Sequence, residues 1–391
     1  MDTQNEKKAA PTFEEAKNRR QKVRAAGLDP NYWYAVEHDH AIKPGQIVEV
    51  KFWGQDPVAL FRDEDGRLHA IENRCAHRQV PLTLGIVQGK RVVCQYHGWE
   101  YNGAGELAHV PHDLFGKKMP RCTLRSYPLR VRYGLIWIFF GDRERAHDVP
   151  MPEIPELEGD DRWACVPVDF TWSSHHSMMI DNVCDFTHEF LHRKYAPFSN
   201  SKLLGYETKD DKVFLRYDTK VGRGKISGLF IDRKAIDTNS MELCYHYPYQ
   251  WSNTDDKIKH WCFVLPIDQR TTRVFFLFYF DHFKIPFTPF KIPRRVMTPF
   301  LKLSNLLMIK PLLSQDGVVT QGEQLGWERH WDEPIIEINP VVNAFQALTV
   351  KKWEEYLARE QQKRDQKELV RLERRRALEA ADAAAAMDGA E

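Results

Sequence analysis

Two short loops carry the most specific chemistry in this chain. They are Cys75-Ala-His77 and, sixteen residues further on, Cys94-Gln-Tyr-His97. Brought together they offer two thiolates and two imidazoles. A [2Fe–2S] cluster can take such a set as two cysteines on one iron and two histidines on the other. Neutral imidazoles in place of anionic thiolates raise its reduction potential. A tetrahedral zinc ion accepts the same four ligands. The spacing alone leaves both open.

A second set lies in Asp181-Asn-Val-Cys-Asp-Phe-Thr-His-Glu-Phe-Leu-His192. Read as part of a helix over Ser173–His192, this stretch places Met179, Val183, Phe186 and Phe190 on one face. Asp181, Asp185, His188 and His192 fall on the other, and the four-residue step lets both imidazoles converge on one ion. The plain alternative is a polar face turned to water. Two histidines and one carboxylate with open positions suit Fe(II) and O2. Candidates for the carboxylate are Asp316, with Asp281 and Glu323 behind it. His175 and His176 are possible substitutes for the histidines. Asp316 can also be read as a helix cap.

The surrounding elements fall into two halves. From Gln46 to Phe140 short strands alternate with turn signals: Ile47–Phe52, Val58–Arg62, a turn at Asp63–Gly66, Leu68–Glu72, and a strand pair over Leu129–Phe140. A Pro-rich link, Val149–Pro155, marks a boundary. Strand-like stretches follow near 203–219, 226–233, 240–248, 258–267 and 272–281. Pro286–Trp331 reads as mostly helical. Arg273–Phe280 is apolar at every position after the first, so both its faces should be buried, one on a cavity and one on a covering helix. Residues 1–30 read as a polar helical arm or loose lead, and the charged stretch from Lys351 as a solvated helix that frays.

Cys75-Ala-His77-Arg78 and Cys94-Gln-Tyr-His97-Gly-Trp99, followed by Tyr101 and Gly103, resemble the Rieske domain of ring-hydroxylating oxygenases. Asp181–His192 resembles the iron-binding stretch of the same Rieske non-haem iron oxygenase family. The likeness spans roughly residues 30 to 350. It implies an α+β fold: an antiparallel Rieske β domain (31–148), then a helix-grip catalytic domain (156–350), with an arm before (1–30) and a tail after (351–391).

The resemblance also implies roles. Cys75, His77, Cys94 and His97 would ligate the cluster. His188, His192 and Asp316 would hold a mononuclear Fe(II). Asn182 and Asp185 would be the catalytic residues, Asp185 bridging a cluster histidine of one subunit to an iron histidine of its neighbour in a cyclic homotrimer. Many members place four residues between the two iron histidines. Here there are three, so the helix must stay regular through His192. Electrons would come from NAD(P)H through a ferredoxin or flavoprotein reductase, with O2 as cosubstrate. The proportions are closest to single-subunit steroid and sterol monooxygenases. The leading expectation is therefore methyl-group oxidation of a bulky apolar substrate such as a sterol. The alternatives are an aromatic-ring dioxygenase or O-demethylase, and a non-catalytic electron-transfer or zinc-binding module.

Composition narrows the rest. With 391 residues, 42% hydrophobic, 28% charged and net charge +1, the chain suits two globular domains and lacks the basic excess of a nucleic-acid binder. Seven widely spaced cysteines do not suggest a disulfide framework, and a reducing, cytoplasmic setting fits. Cys122, Cys165, Cys184, Cys244 and Cys262 read as ordinary buried thiols. No secretory signal or spanning helix is expected. Phe283–Leu313 mixes Phe, Ile and Leu with Lys and Arg, and Phe283, Ile285, Phe287, Phe290 and Ile292 alternate there with Lys284, Lys291, Arg294 and Arg295; the composition suits peripheral membrane contact or a helical cover over the pocket.

Overall fold

A computed structural model describes residues 9–221, 240–281, 283–284, 290–292 and 296–388. The first half is built from three small antiparallel sheets. One pairs Ile47–Val50, Val58–Arg62 and Leu68–Glu72, and its second turn is the expected one at Asp63–Gly66. A second runs through Ile86–Gln88, Arg91–Val93, Glu100–Asn102 and Leu107–His109; Cys94–His97 joins its middle strands, and Cys75–His77 lies between it and the first sheet. The third sets Leu135–Ile138 between Tyr34–His38 and Leu129–Arg132. Its tight hairpin turns on Tyr133 (φ 56°) and Gly134 (φ 74°), the left-handed pair that matches strand twist.

The second half is one seven-stranded antiparallel sheet. Its spatial order is 164–172, 271–280, 258–268, 249–254, 240–246, 212–221, 198–209. One face of it packs with the helix His176–Cys184, the helix Met297–Ser304, a widened π-type turn over Asn305–Ile309 and the long helix Lys310–His330. The expected stretch 203–219 is a hairpin of two strands that turns at Asp210–Asp211, and two further strands were not anticipated at all. Ala164–Trp172 holds Pro167 and sits at the sheet edge, where a missing N–H is tolerated. Tyr249–Thr254 turns Gln250, Ser252 and Thr254 inward, so its buried face has no apolar alternation. The stretch 226–233 lies outside the described residues.

Arg273–Phe280 is buried on both faces, but one partner differs from expectation. Phe276, Phe278 and Phe280 line a cavity. Phe275, Leu277 and Tyr279 pack not on a helix but on Trp33, Trp137 and Phe139 of the first half and Met151 and Ile154 of the link. The seam is pinned by Arg273, whose guanidinium meets Glu37 at 2.8 Å and Asp169 at 2.8 Å and donates to the Val36 carbonyl. His38 closes on the same Asp169 at 2.9 Å.

Segments before and after the two halves pack against them. Arg19–Ala25 is a helix capped by Asn18, and Gln21, Val23 and Arg24 are buried. Pro340–Asp388 is one continuous helix that includes the expected charged helical stretch from Lys351. Val341, Phe345 and Leu348 join the core, and Lys352 is buried against Asp211 and Glu355. Arg359 reaches Asp29 and Lys363 reaches Asp142, so the helix straps the two halves together. No helix among the described residues is long and apolar enough to cross a membrane.

Candidate metal centres

The two Cys/His loops are copies of one backbone device. In the first, the Cys75 N–H donates to the Val80 carbonyl and the Gln79 N–H returns to the Cys75 carbonyl. In the second, the Cys94 N–H donates to the Trp99 carbonyl and the Gly98 N–H returns to the Cys94 carbonyl. Each loop turns on a left-handed residue at the same position, Gln79 (φ 60°) and Gly98 (φ 70°). A Cβ at Gly98 would also come within 2.8 Å of Pro111.

Their ligand atoms fall into two pairs. His77 Nδ1 and His97 Nδ1 face each other at 3.1 Å, with the His77 ring stacked on Trp99 at 4.8 Å. Cys75 and Cys94 are buried together, and burial raises the Cys94 thiol, with Cys75 beside it adding to the rise. The Tyr101 hydroxyl accepts from the Ala76 N–H at 3.0 Å and lies 3.3 Å from Cys75 Sγ.

One zinc ion would draw all four ligand atoms within bonding distance of a single point. Among the described residues the four do not form such a group, since the only set of three or more ligand atoms all within 4.8 Å of one another lies elsewhere. Separate thiol and imidazole pairs fit a two-iron cluster. None of the seven cysteines is in a disulfide. Of the other five, Cys184, Cys244 and Cys262 are buried, while Cys122 and Cys165 are only half-buried.

That tight set is His188, His192 and Asp316. Asp316 Oδ1 lies 3.2 Å from His192 Nε2 and 3.7 Å from His188 Nε2. Asp316 sits inside the helix Lys310–His330, not at its cap, and is 6% exposed. The histidines are not on a helix, contrary to the expectation. The helix starts at His176 and ends at Cys184, and Asp185 closes it with extended backbone. The Asp185 carboxylate then accepts from the Thr187 N–H (2.9 Å) and hydroxyl (2.7 Å), a local bond that competes with helix continuation. His188–Tyr195 follows as successive tight turns. Phe190, expected on an apolar stripe, is 69% exposed as a result.

Each ligand has a supporting contact. His192 Nδ1 donates to Gln315 Oε1 at 2.9 Å, which leaves Nε2 as the lone-pair nitrogen. Asn182 Nδ2 donates to Asp316 Oδ1 at 3.3 Å. The His188 pKa is lowered by burial despite the pull of Asp316. For His192 burial also lowers the pKa, but the hydrogen bond and charge of Asp316 outweigh it.

The remaining candidates have other partners. Glu323 pairs with Arg24 at 2.6 Å. Asp281 is not in the cluster. His176 bonds the Ala26 carbonyl, and His175 caps its helix through Ser177. Burial keeps the pKa of both below the ordinary histidine range.

Arg24, on the helix of the N-terminal arm, had no signal in the sequence. Its buried guanidinium reaches Asp181 at 2.8 Å and Ser177 at 2.5 Å on the first histidine-bearing segment, and Glu323 on the Asp316 helix. Gln346 donates to the same Asp181 at 2.8 Å. Burial pushes Asp181 up to about 6 against these donors. Gln315 was legible only as the neighbour of Asp316.

The triad opens into a cavity lined by Val183, Phe186, Met241, Ile258, Phe276, Phe278, Phe280, Met308 and Leu312, with Ser252, Thr254 and His260 on one wall. His260, also unanticipated, bonds Ser252 at 2.6 Å.

Comparisons with known proteins agree with this layout. Residues 32–128 match the Rieske [2Fe-2S] domain, and residues 172–360 match the vanillate O-demethylase oxygenase C-terminal domain. A 4beta-methylsterol monooxygenase of Methylococcus capsulatus is 45% identical over 341 residues, 86% of this chain and 92% of that one. A vanillate O-demethylase oxygenase subunit from a Pseudomonas species is 31% identical over 41% of this chain and 43% of its own. In fold, the chain resembles dicamba monooxygenase bound to dicamba (TM-score 0.66, 18% identity, 85% of this chain and all of that one). It also resembles NdmA of Pseudomonas putida with caffeine (TM-score 0.63, 20% identity, 88% and 94%). Both domains occur in the family's order and the first relative is matched over nearly its whole length, so the chain belongs to the Rieske non-haem iron oxygenases, monooxygenase-type oxidoreductases.

Proposed function

We propose that the protein is the terminal oxygenase of a monooxygenase system that oxidises a methyl group of a sterol or a similar polycyclic lipid. One observation carries this reading: His188, His192 and Asp316 open directly into a cavity whose other walls are apolar apart from Asn182 and one polar patch. The 45%-identical relative named for 4beta-methylsterol oxidation supports the substrate class.

A [2Fe–2S] cluster on Cys75, Cys94, His77 and His97, with Fe(II) on His188, His192 and Asp316, would supply electron storage and O2 activation, drawing on NAD(P)H through a ferredoxin or reductase. The protein's own residues do the positioning. Gln315 fixes the His192 tautomer, and Asn182 holds the Asp316 carboxylate. Phe276, Phe278, Phe280 and Met308 exclude water and hold a fused-ring body against the triad. Asp185, whose carboxylate is held by the Thr187 N–H and hydroxyl, would bridge to a cluster histidine of a neighbouring subunit in a trimer.

Membrane contact is supported mainly by the later part of the Phe283–Leu313 stretch, although Phe290 in its first part is also exposed. Ile292 is buried, and Ile285, Phe287, Arg294 and Arg295 lie outside the described residues. Instead Val296, Phe300, Leu303 and Leu307 form an exposed apolar row beside Lys302 and Lys310, on the helices that roof the cavity. Such a row suits shallow, salt-sensitive contact with a lipid surface.

The test is incubation of the iron-loaded protein with a reductase, a 4-methylsterol and 18O2. The expected result is one labelled oxygen per product molecule at each oxidation and three irons per chain. Two labelled atoms on two different carbons from a single turnover would make it a dioxygenase. Two irons and no product would make it an electron carrier, and stoichiometric zinc a binding module.

A further inference from the structure

The polar patch inside the cavity is not used by the iron chemistry. Ser252 and His260 are cross-strand partners, so their side chains leave the same face of the sheet. His260 Nδ1 and the Ser252 hydroxyl lie 2.6 Å apart, and the His260 ring rests against Phe278 with centroids 5.0 Å apart. Among the described residues Ser252 is the one hydrogen-bond partner of His260, so Nε2 is left on the ring edge that lines the cavity. Thr254 lines the same wall, two residues along. Gln250, two residues the other way on the same face, is fully buried, and neither of its amide atoms has a partner among the described residues. A strand that buries polar groups at three successive inward positions departs from the apolar lining around it, and polar groups buried this way are normally matched by a partner.

The charge of the site selects the partner's chemistry. Burial lowers the His260 pKa to about 4, so the ring is neutral near pH 7 and offers one donor and one acceptor. No Lys or Arg lines the cavity among the described residues, and Asp316 already places a carboxylate in it. At the wall opposite the triad an anionic group, such as an aromatic carboxylate, would find no Lys or Arg among the described residues and would lose its hydration. A hydroxyl or ketone oxygen would find a neutral partner able to donate or accept.

We propose that His260, backed by Ser252, is the anchor for a hydroxyl or oxo group on the substrate, and that it selects neutral oxygenated lipids over carboxylates. The anchor sits on the sheet while the metal ligands come from the roof and the turns after the first catalytic helix. A bound molecule is therefore held by its oxygen on one wall while its apolar body lies against the phenylalanines. The proposal rests on the sterol reading only for its choice of probe.

The experiment is equilibrium binding, by quenching of tryptophan fluorescence, to a 4-methyl-3-hydroxysterol, its 3-ketone and its 3-deoxy analogue. The wild type is expected to bind the first two at least ~10-fold more tightly than the deoxy compound, the order of one well-made buried hydrogen bond. His260→Phe should bring that ratio close to one and raise KM more than it lowers kcat, with iron content retained. His260→Gln, which can still donate and accept, should recover part of the preference. Ser252→Ala removes only a hydroxyl, so it tests the same idea with little risk to folding, and should reduce the ratio less. An undiminished hydroxyl preference in His260→Phe and Ser252→Ala would overturn the anchor. If no sterol binds but other apolar alcohols are preferred over their deoxy forms in a His260-dependent way, the anchor stands and the sterol reading falls.

Discussion

The two metal centres solve opposite problems with opposite constructions. The Cys/His set spans residues 75 to 97, is closed by backbone hydrogen bonds within each loop, and leaves His77 exposed. The His188–His192–Asp316 set draws on residues 128 positions apart in sequence (316 − 188), with His192 only 2% and Asp316 6% exposed. Electron exchange needs a ligand edge that another protein surface can approach. Oxidation of an inert C–H bond needs water kept out. The difference teaches where each site is vulnerable. The loop pair depends on its own few residues, whereas the triad depends on side chains that hold distant elements in register.

The largest effects should separate the two sites cleanly. Asp316→Ala, and equally His188→Ala, is expected to abolish turnover and lose the mononuclear iron while the visible and EPR spectra of the cluster persist. His77→Cys should do the reverse, lowering the cluster potential or destroying the cluster while Fe(II) still binds the triad. If Asp316→Ala retains a full iron complement and turns over normally, the carboxylate of the triad has been wrongly assigned.

A smaller effect tests whether the triad's support extends to the arm. Arg24 links the segment before His188 to the helix that carries Asp316. Arg24→Met leaves a buried Asp181 without its cation, a loss of about 3–5 kcal/mol where one partner of a buried pair is removed. Supporting residues of metal sites are typically worth about 10–100-fold in metal affinity. Fe(II) titration of the folded variant should show a weakening of that order with an unchanged cluster spectrum. Equal loss of both metals would make Arg24 merely a stability residue.

The smallest effect concerns the seam between the halves. Burial would raise the Asp169 carboxyl, but hydrogen bonds from His38 and Arg273 overcome it and hold the group at about 2 against a usual 3.8. The folded pKa is depressed, so the contribution is fully present above pH ~4 and is lost as pH falls toward 2. A shift of this size at a partly exposed site is worth about 1–2 kcal/mol once solvent screening is allowed for. Denaturant unfolding should therefore show Asp169→Asn less stable than wild type by that amount at pH 7, with the gap closing below pH 4. A gap that stays constant down to pH 2.5 would show that the ion pair does not stabilise the seam.

The sequence by itself determined the chemistry-bearing residues, because metal ligation demands particular side chains at short spacings: two Cys/His loops, two histidines in one segment, and turns such as Asp63–Gly66 where hairpin geometry constrains residue type. It also determined the α+β division, since strand and helix periods differ. What only the tertiary structure decided follows from contacts that have no local period. Asp185 and Thr187 end a helix that the pattern alone would continue to His192, because a side-chain hydrogen bond to the backbone outcompetes propensity there. The strand Tyr249–Thr254 was illegible because its inward residues are polar, and what they face cannot be read from one strand. Arg24 reads as solvated in a charged arm, yet it is buried because two carboxylates more than 140 residues further along converge on it. Choosing Asp316 over Glu323 needed the same information, since both lie on one helix and only packing shows which one turns to the histidines and which to Arg24.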